Sequence, residues 1–372
     1  MRPSVALPGT ALDWAGHLAR GADARRRSLA VAALAMPAVR WLVVACQAAT
    51  VLITWPLWQA HDSPPMLPAL PLPAIDLGAI LLASLALVLV APGRGLAVHS
   101  ALLLYAVLID QTRLQPEVVS LTLLMWGTLP SPTARAFARA HLVSLWVFAG
   151  LNKLLSPAFL HSRAQWMLAG MVDDPSPWLV EHVGYLIALA ELGTGVLALL
   201  PWSRRLAAWA ILALHGGILL DLSPLGHDWN RAVWPWNVAL AVSGFAFIAP
   251  WTGSPLRSLG ACHRLLRPAL ILLVVGPLGF YVGITDAYLA HNLYSANTPR
   301  AVVSCARGCL PNQQPGATWT VFEVPLPPEH RLLEQYFART CRPGDVMTIT
   351  DSRWWFEWRG HDQRRLECPT KS

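Results

Sequence analysis

A lysine closes the apolar stretch Phe148-Ala149-Gly150-Leu151-Asn152-Lys153. An ionisable side chain in a helix that should lie in a bilayer is a functional-site hypothesis by default. Two chemistries are open to it. The ammonium can snorkel to the headgroups along its apolar stem, or an amine held among apolar groups can accept a proton as a general base. Gly150 fits the second reading, because a residue without a side chain lets a neighbouring helix or a flat ligand approach.

A second polar cluster stands further along: His215, Asp221, His227, Asp228, Trp229 and Asn230. Glu191, in Ala190-Glu191-Leu192-Gly193, falls mid-helix, where a carboxylate needs a partner; the simple role is a hydrogen bond that orients the sixth and seventh helices. His215 reads as an interhelical hydrogen-bonding histidine or as a ligand. Asp221, six residues on, falls on a different face at about 100° per residue, so the two are not a helix-borne metal site. Pro224 and Gly226 fix a tight turn through His227-Asp228-Trp229-Asn230, and Trp234, Trp236 and Asn237 re-enter the membrane just after it. Anchoring explains the tryptophans but not the asparagines, which need hydrogen-bond partners away from water. A shallow pocket for a flat ring, gated by this turn, is the sharper expectation. Its catalytic candidates are Lys153 and His215; Gly150, Asn152, His227, Asp228, Trp229, Asn230, Trp234, Trp236 and Asn237 are the candidates for holding a cofactor.

These residues need a membrane scaffold, and composition supplies one. Of 372 residues 55% are hydrophobic and 13% charged, where a soluble domain carries about 25% charged. The net charge of +7 comes from short arginine runs between apolar segments, which argues for membrane topology and against nucleic acid. The 18 tryptophans sit mostly at segment ends, the interfacial position. Apolar runs predict about nine helices, at 37–57, 74–92, 96–110, 117–130, 137–155, 183–201, 205–222, 232–250 and 268–286. Alternate loops carry the arginines: Arg20 and Arg25–Arg27, Arg94, Arg135 and Arg139, Arg204 and Arg205, then Arg257, Arg264 and Arg267. By the positive-inside rule the N-terminus lies inside and the C-terminus outside. Residues 25–35 faintly resemble a signal peptide, but the apolar run is short and leads straight into a helix. Prolines at 64, 65, 68, 71 and 73 make 59–73 an extended loop. Residues 156–182 read as an interfacial half-helix and turn over the mouth of the bundle, beside Lys153.

From about 290 the composition becomes that of a small extracytoplasmic α+β domain. Thr318–Val324, Val346–Thr350 and Trp354–Trp358 read as strands and Pro328–Thr340 as a helix. Cys305, Cys309, Cys341 and Cys368 all fall here, which in an oxidising compartment suggests two disulfides of undetermined pairing. A metal knuckle or a redox-active Cys305/Cys309 pair competes with that reading, although three residues intervene where the usual motifs have two. Cys46 and Cys262 fall in the membrane and on the inner side, and are expected to be reduced.

Ala149-Gly150-x-x-Lys153, the tryptophan-bearing segment after it, His215 and a final helix leading outside together resemble the HTTM superfamily, which includes vitamin K-dependent γ-carboxylase. The resemblance covers roughly 95–250. His227–Asn230, Trp234–Asn237, Asp110–Pro116 and Leu293–Pro299 look more like uncharacterised bacterial HTTM-like or DoxX-like membrane proteins, for which a fold is implied but no reaction. In the carboxylase the lysine matching Lys153 deprotonates a reduced quinone. Oxygen then turns the quinol into a base strong enough to remove a glutamate γ-proton before carbon dioxide adds. This chain lacks that enzyme's large luminal region, so the resemblance implies quinol chemistry more than protein carboxylation.

The combined expectation is an all-α polytopic protein of the bacterial inner membrane. It has a segment 1–36 inside, a bundle over 37–289 and a disulfide-stapled α+β domain over 290–372 outside. Its cofactor would be a reduced quinone, with no metal, and its partners the lipid bilayer and an acceptor or protein on the outer side. A non-catalytic scaffold, a small-molecule transporter and a thiol-disulfide partner are the alternatives.

Overall fold

A computed structural model describes residues 36–360 and 362–368. The expected inner segment, with Arg20, Arg25–Arg27 and the signal-like stretch, lies outside the described residues apart from Met36. Prolines set the starts of the helices: Pro92, Pro116, Pro132, Pro177 and Pro255 each stand in the first turn, where the missing N–H costs nothing and the fixed φ is already helical. Helices α1 (Met36–Ile53), α2 (Gly78–Val90), α3 (Pro92–Ile109) and α4 (Pro116–Gly127) lead to the long central α5 (Pro132–Leu154). Ser131, Ser176 and Ser254 cap helices by accepting a backbone N–H on the side chain.

After α5 the chain turns through a π-helical turn, Phe159–Arg163, into the short α6 (Ala164–Ala169), bent 84° from α5. This is the expected half-helix. Helices α7 (Pro177–Leu199), α8 (Arg204–Leu222), α9 (Trp234–Ser243), α10 (Pro255–Ala261) and α11 (Arg267–Val275) complete the bundle. The core gathers Leu121, Met125, Leu142, Trp146, Ile211 and Leu240 around α5.

Helices occur at all nine expected places, but nine spans do not. Among the described residues five helices are long and apolar enough to cross a membrane: Met36–Ile53, Pro92–Ile109, Pro177–Leu199, Arg204–Leu222 and Arg264–Val282. The bent pair of α5 with Phe159–Ala169 would make a sixth. The shortfall is one of length. α2, α4 and α9 have 13, 12 and 10 residues, roughly 20, 18 and 15 Å at about 1.5 Å per residue, against a hydrocarbon core of about 30 Å.

The C-terminal part is a three-stranded antiparallel sheet, β1 (Arg300–Ser304), β2 (Val346–Thr350) and β3 (Gln363–Glu367), with β2 central. Met347 and Ile349 point inward and pack against Leu332, Leu333, Tyr336 and Phe337. Those four lie on one face of the helix His330–Thr340 (α13), which follows the short helix α12 (Ala317–Phe322). Of the expected strands, Val346–Thr350 is one, but Thr318–Val324 holds α12 and Trp354–Trp358 is the helix α14. Aromatic and β-branched content favours strands, yet a helical turn puts Trp319 and Phe322 on one side. Phe322 is thereby buried with Leu57 and Trp58 of the bundle. Cys305 pairs with Cys309 and Cys341 with Cys368; Cys46 and Cys262 are free and buried.

Candidate functional site

Beneath the C-terminal sheet, where α4, α5, α7, α8 and α9 converge, lies a cavity of about 640 Å³. At its wall Lys153 Nζ donates to Glu191 Oε2 at 2.6 Å, and both side chains are buried. A charge-assisted bond of this length fixes α5 to α7. Gly150, one turn earlier, allows it: a β-carbon there would lie 2.6 Å from the Ala188 carbonyl and against the Leu192 amide. Lys153 Nζ also stands 5.6 Å from the centroid of the Phe159 ring, a cation–π distance. The residue that starts the bend toward α6 therefore touches the same ammonium.

A neutral knot holds the next helices. Trp146 Nε1 donates to His215 Nε2 at 3.0 Å, which leaves His215 Nδ1–H to donate to Asn237 Oδ1 at 2.8 Å. Asn237 in turn donates to the Val233 carbonyl. Both imidazole nitrogens are thus committed while the ring still faces the cavity.

The roof joins α6 to the turn after α8. His227 places Nδ1 3.1 Å from Asp221 Oδ1 and Nε2 3.1 Å from the Trp166 carbonyl. The Trp166 and His227 rings lie 3.9 Å apart, and a side chain at Gly170 would strike His227. Asp228 and Asn230 take left-handed φ of 45° and 51°, conformations that Asp and Asn tolerate best. Facing them, His291, Tyr294 and Ala296 have φ of 55°, 56° and 58°. Three such residues in six gather backbone strain at the cavity wall, the usual place for it being a functional site. The Asn230 amide meets the Tyr294 hydroxyl. Trp229 stacks on Trp319 at 5.0 Å and meets Trp166 and Tyr294 edge-on at 5.5 and 5.8 Å.

Ile187, Leu214, Ile218 and Leu240 give the wall an apolar stretch. Three lining residues nevertheless carry buried polar atoms with no partner: Asp221 Oδ2, Asn230 Oδ1 and Trp236 Nε1. Buried polar atoms are nearly always bonded, so this cavity offers two acceptors and a donor to an occupant. Among the described residues no three His, Cys, Asp or Glu side chains converge as a metal would require.

The family described as methylamine utilisation protein MauE matches residues 131–222. That is about a quarter of the chain, from the start of α5 to the end of α8. No curated protein and no solved structure matches. This match corrects the HTTM, γ-carboxylase and DoxX resemblance, because the stretch with Lys153 and His215 matches a different family model. The structure shows why so short a motif misleads. Gly150 is accounted for by packing on α7, and Lys153 by Glu191.

Lys153, His215, Trp229, Asn230, Trp236 and Asn237 line the one cavity. The other expected residues hold the structure around it. Gly150 packs on α7, and Asn152 bonds the Ala290 carbonyl and the Tyr281 hydroxyl. His227 lies behind Trp166, Asp228 pairs with Arg231 in solvent, and Trp234 donates to the Trp229 carbonyl. Glu191 joins α7 to α5 rather than to the following helix. Glu117, Trp166, Tyr294 and Trp319 also line the cavity, unforeseen as parts of a site. Glu117 directly follows a proline at the mouth of an apolar run, which is its signal in the sequence.

Proposed function

We propose that this membrane protein binds an amphiphilic small molecule in an outward-facing cavity and serves methylamine utilisation. The observation that carries the reading is the meeting of three unpartnered buried polar atoms with an apolar stretch of wall around one cavity. Such a site suits a ligand with a polar head and an apolar body. The matched family's description supplies the process.

Orientation follows from charge and cysteine chemistry. Arg139 and Arg204 converge on Trp251, at 5.4 and 3.9 Å from its ring, away from the cavity. Positive charge favours the cytoplasmic face, while two disulfides under the sheet favour an oxidising compartment. In this reading residues 37–289 form the bundle and 290–372 its external cover. Lys153 is engaged by Glu191 and ties α5 to α7 at the cavity wall.

The test is extraction of small molecules from the purified full chain, read by mass spectrometry, beside Gly217→Phe. Gly217 lines the cavity and has open space where a side chain would begin. We expect one amphiphile near stoichiometric amount in the wild type and its loss in the variant, with an unchanged unfolding temperature. A quinone is one molecule of the right class and would be seen directly. Equal recovery from both proteins, or none from either, would contradict the reading. Growth on methylamine, lost when the protein is deleted from its host, checks the process.

A further inference from the structure

Glu117 is a buried carboxylate that faces the cavity without a basic partner. It is 2% exposed and lines the space. It sits in the first turn of α4. The cations of the cavity are engaged elsewhere: Lys153 with Glu191, Arg300 with the Ala296 carbonyl, and Arg163 exposed at the rim. The acidic residues nearest in role, Glu191 and Asp221, are paired with Lys153 and His227. Glu117 alone has no counter-charge among the lining residues.

Tyr288 and Tyr294 lie within electrostatic reach of this carboxylate, and two tryptophans line the same cavity. Gln115, two residues before it, donates to the Pro325 carbonyl, which brings the segment after α12 over this corner. Trp319 of α12, Trp229 stacked upon it and Tyr294 edge-on to Trp229 form a continuous ring surface. Burial, and then the Glu117 charge, raise the Tyr288 and Tyr294 hydroxyls far above their ordinary range. They therefore remain protonated and supply no negative charge that would fill the role of Glu117. A carboxylate that shares a cavity with tryptophan and tyrosine rings is the chemistry that recognises an organic ammonium, through charge and cation–π attraction together.

Resting on the binding reading above, we infer that the Glu117 corner, with Trp229, Trp319 and Tyr294, receives the cationic amine head of the ligand. The cavity thereby has polarity: ammonium at Glu117, apolar body along Leu214 and Ile218. The Lys153–Glu191 pair lines the same cavity.

The test is a titration of the purified full chain with choline and with its uncharged isostere 3,3-dimethylbutan-1-ol, followed by tryptophan fluorescence. Choline should quench saturably in the wild type and bind roughly tenfold or more weakly in Glu117→Gln and in Trp319→Ala. The alcohol should bind wild type and Glu117→Gln alike. Trp319→Ala keeps the inference testable should Glu117→Gln not fold. Binding of the alcohol without choline, or choline affinity unchanged in the variants, would overturn the ammonium assignment and leave the pocket standing. Failure of both probes would overturn the pocket as well.

Discussion

Removing one member of the Lys153–Glu191 pair should destabilise this protein far more than removing both. At 2.6 Å two unit charges attract by roughly 6 kcal/mol at an effective dielectric of about 20. Desolvation opposes this by several kcal/mol per ion, so the pair as a whole nets close to zero. Deleting one partner discards the attraction but leaves the other charge stranded between α5 and α7, at a cost of about 3–5 kcal/mol. Lys153→Met and Glu191→Gln should each lose that much, while Lys153→Met/Glu191→Leu should return to within about 1 kcal/mol of wild type. The assay is denaturant unfolding in micelles followed by the 18 tryptophans, closed as a double-mutant cycle. Additive losses, or a Lys153→Met variant as stable as wild type, would refute a buried, mutually dependent pair.

Gly150→Leu should prevent α5 and α7 from closing, since a side chain would meet the Ala188 and Leu192 backbone; loss of the folded peak on size exclusion measures it, and normal elution would show slack between the helices. Glu329 is held up to about 7, first by burial and then by Asp286, although the Ala287 N–H and nearby arginines pull it down. The folded state therefore keeps its proton where the unfolded chain has lost it. Stability falls as pH rises from about 4.5 to about 7, by on the order of 3 kcal/mol, and Glu329→Gln should flatten that slope in thermal unfolding. Cys341 and Cys368, 27 residues apart, close a much longer loop than Cys305 and Cys309, four apart. Chain entropy gives about 3.5 against about 2 kcal/mol, so Cys341→Ser/Cys368→Ser should expose the sheet to limited proteolysis sooner than Cys305→Ser/Cys309→Ser.

The sequence made the helices legible because proline starts and serine caps punctuate them, but not how many cross. The apolar runs continue through Ala91, Thr128 and Gly244, whereas the chain ends a helix at the first two and enters a π-turn at the third. Lys153 and the turn after α8 were readable as a site because polar residues stand out in apolar surroundings. Their meeting place was not, since it depends on Glu191, 38 positions from Lys153, and on three strained residues in 291–296. Glu117 was invisible for the opposite reason: a glutamate after proline looks like an ordinary helix start. The outer strands β1 and β3 escaped notice because most of their side chains face away from the core. Trp319 was visible as an aromatic, but only a helical turn aims it at Trp229.

The central claim is that the cavity under the sheet holds an amphiphile by its polar atoms. The most direct measurement is an electron cryomicroscopy map of the full chain in lipid nanodiscs. We expect one continuous ligand feature within hydrogen-bond reach of Trp236 Nε1 and Asn230 Oδ1, with its body along Leu214 and Ile218. A cavity collapsed by side-chain rotation, or holding only lipid tails that touch neither polar atom, would contradict it.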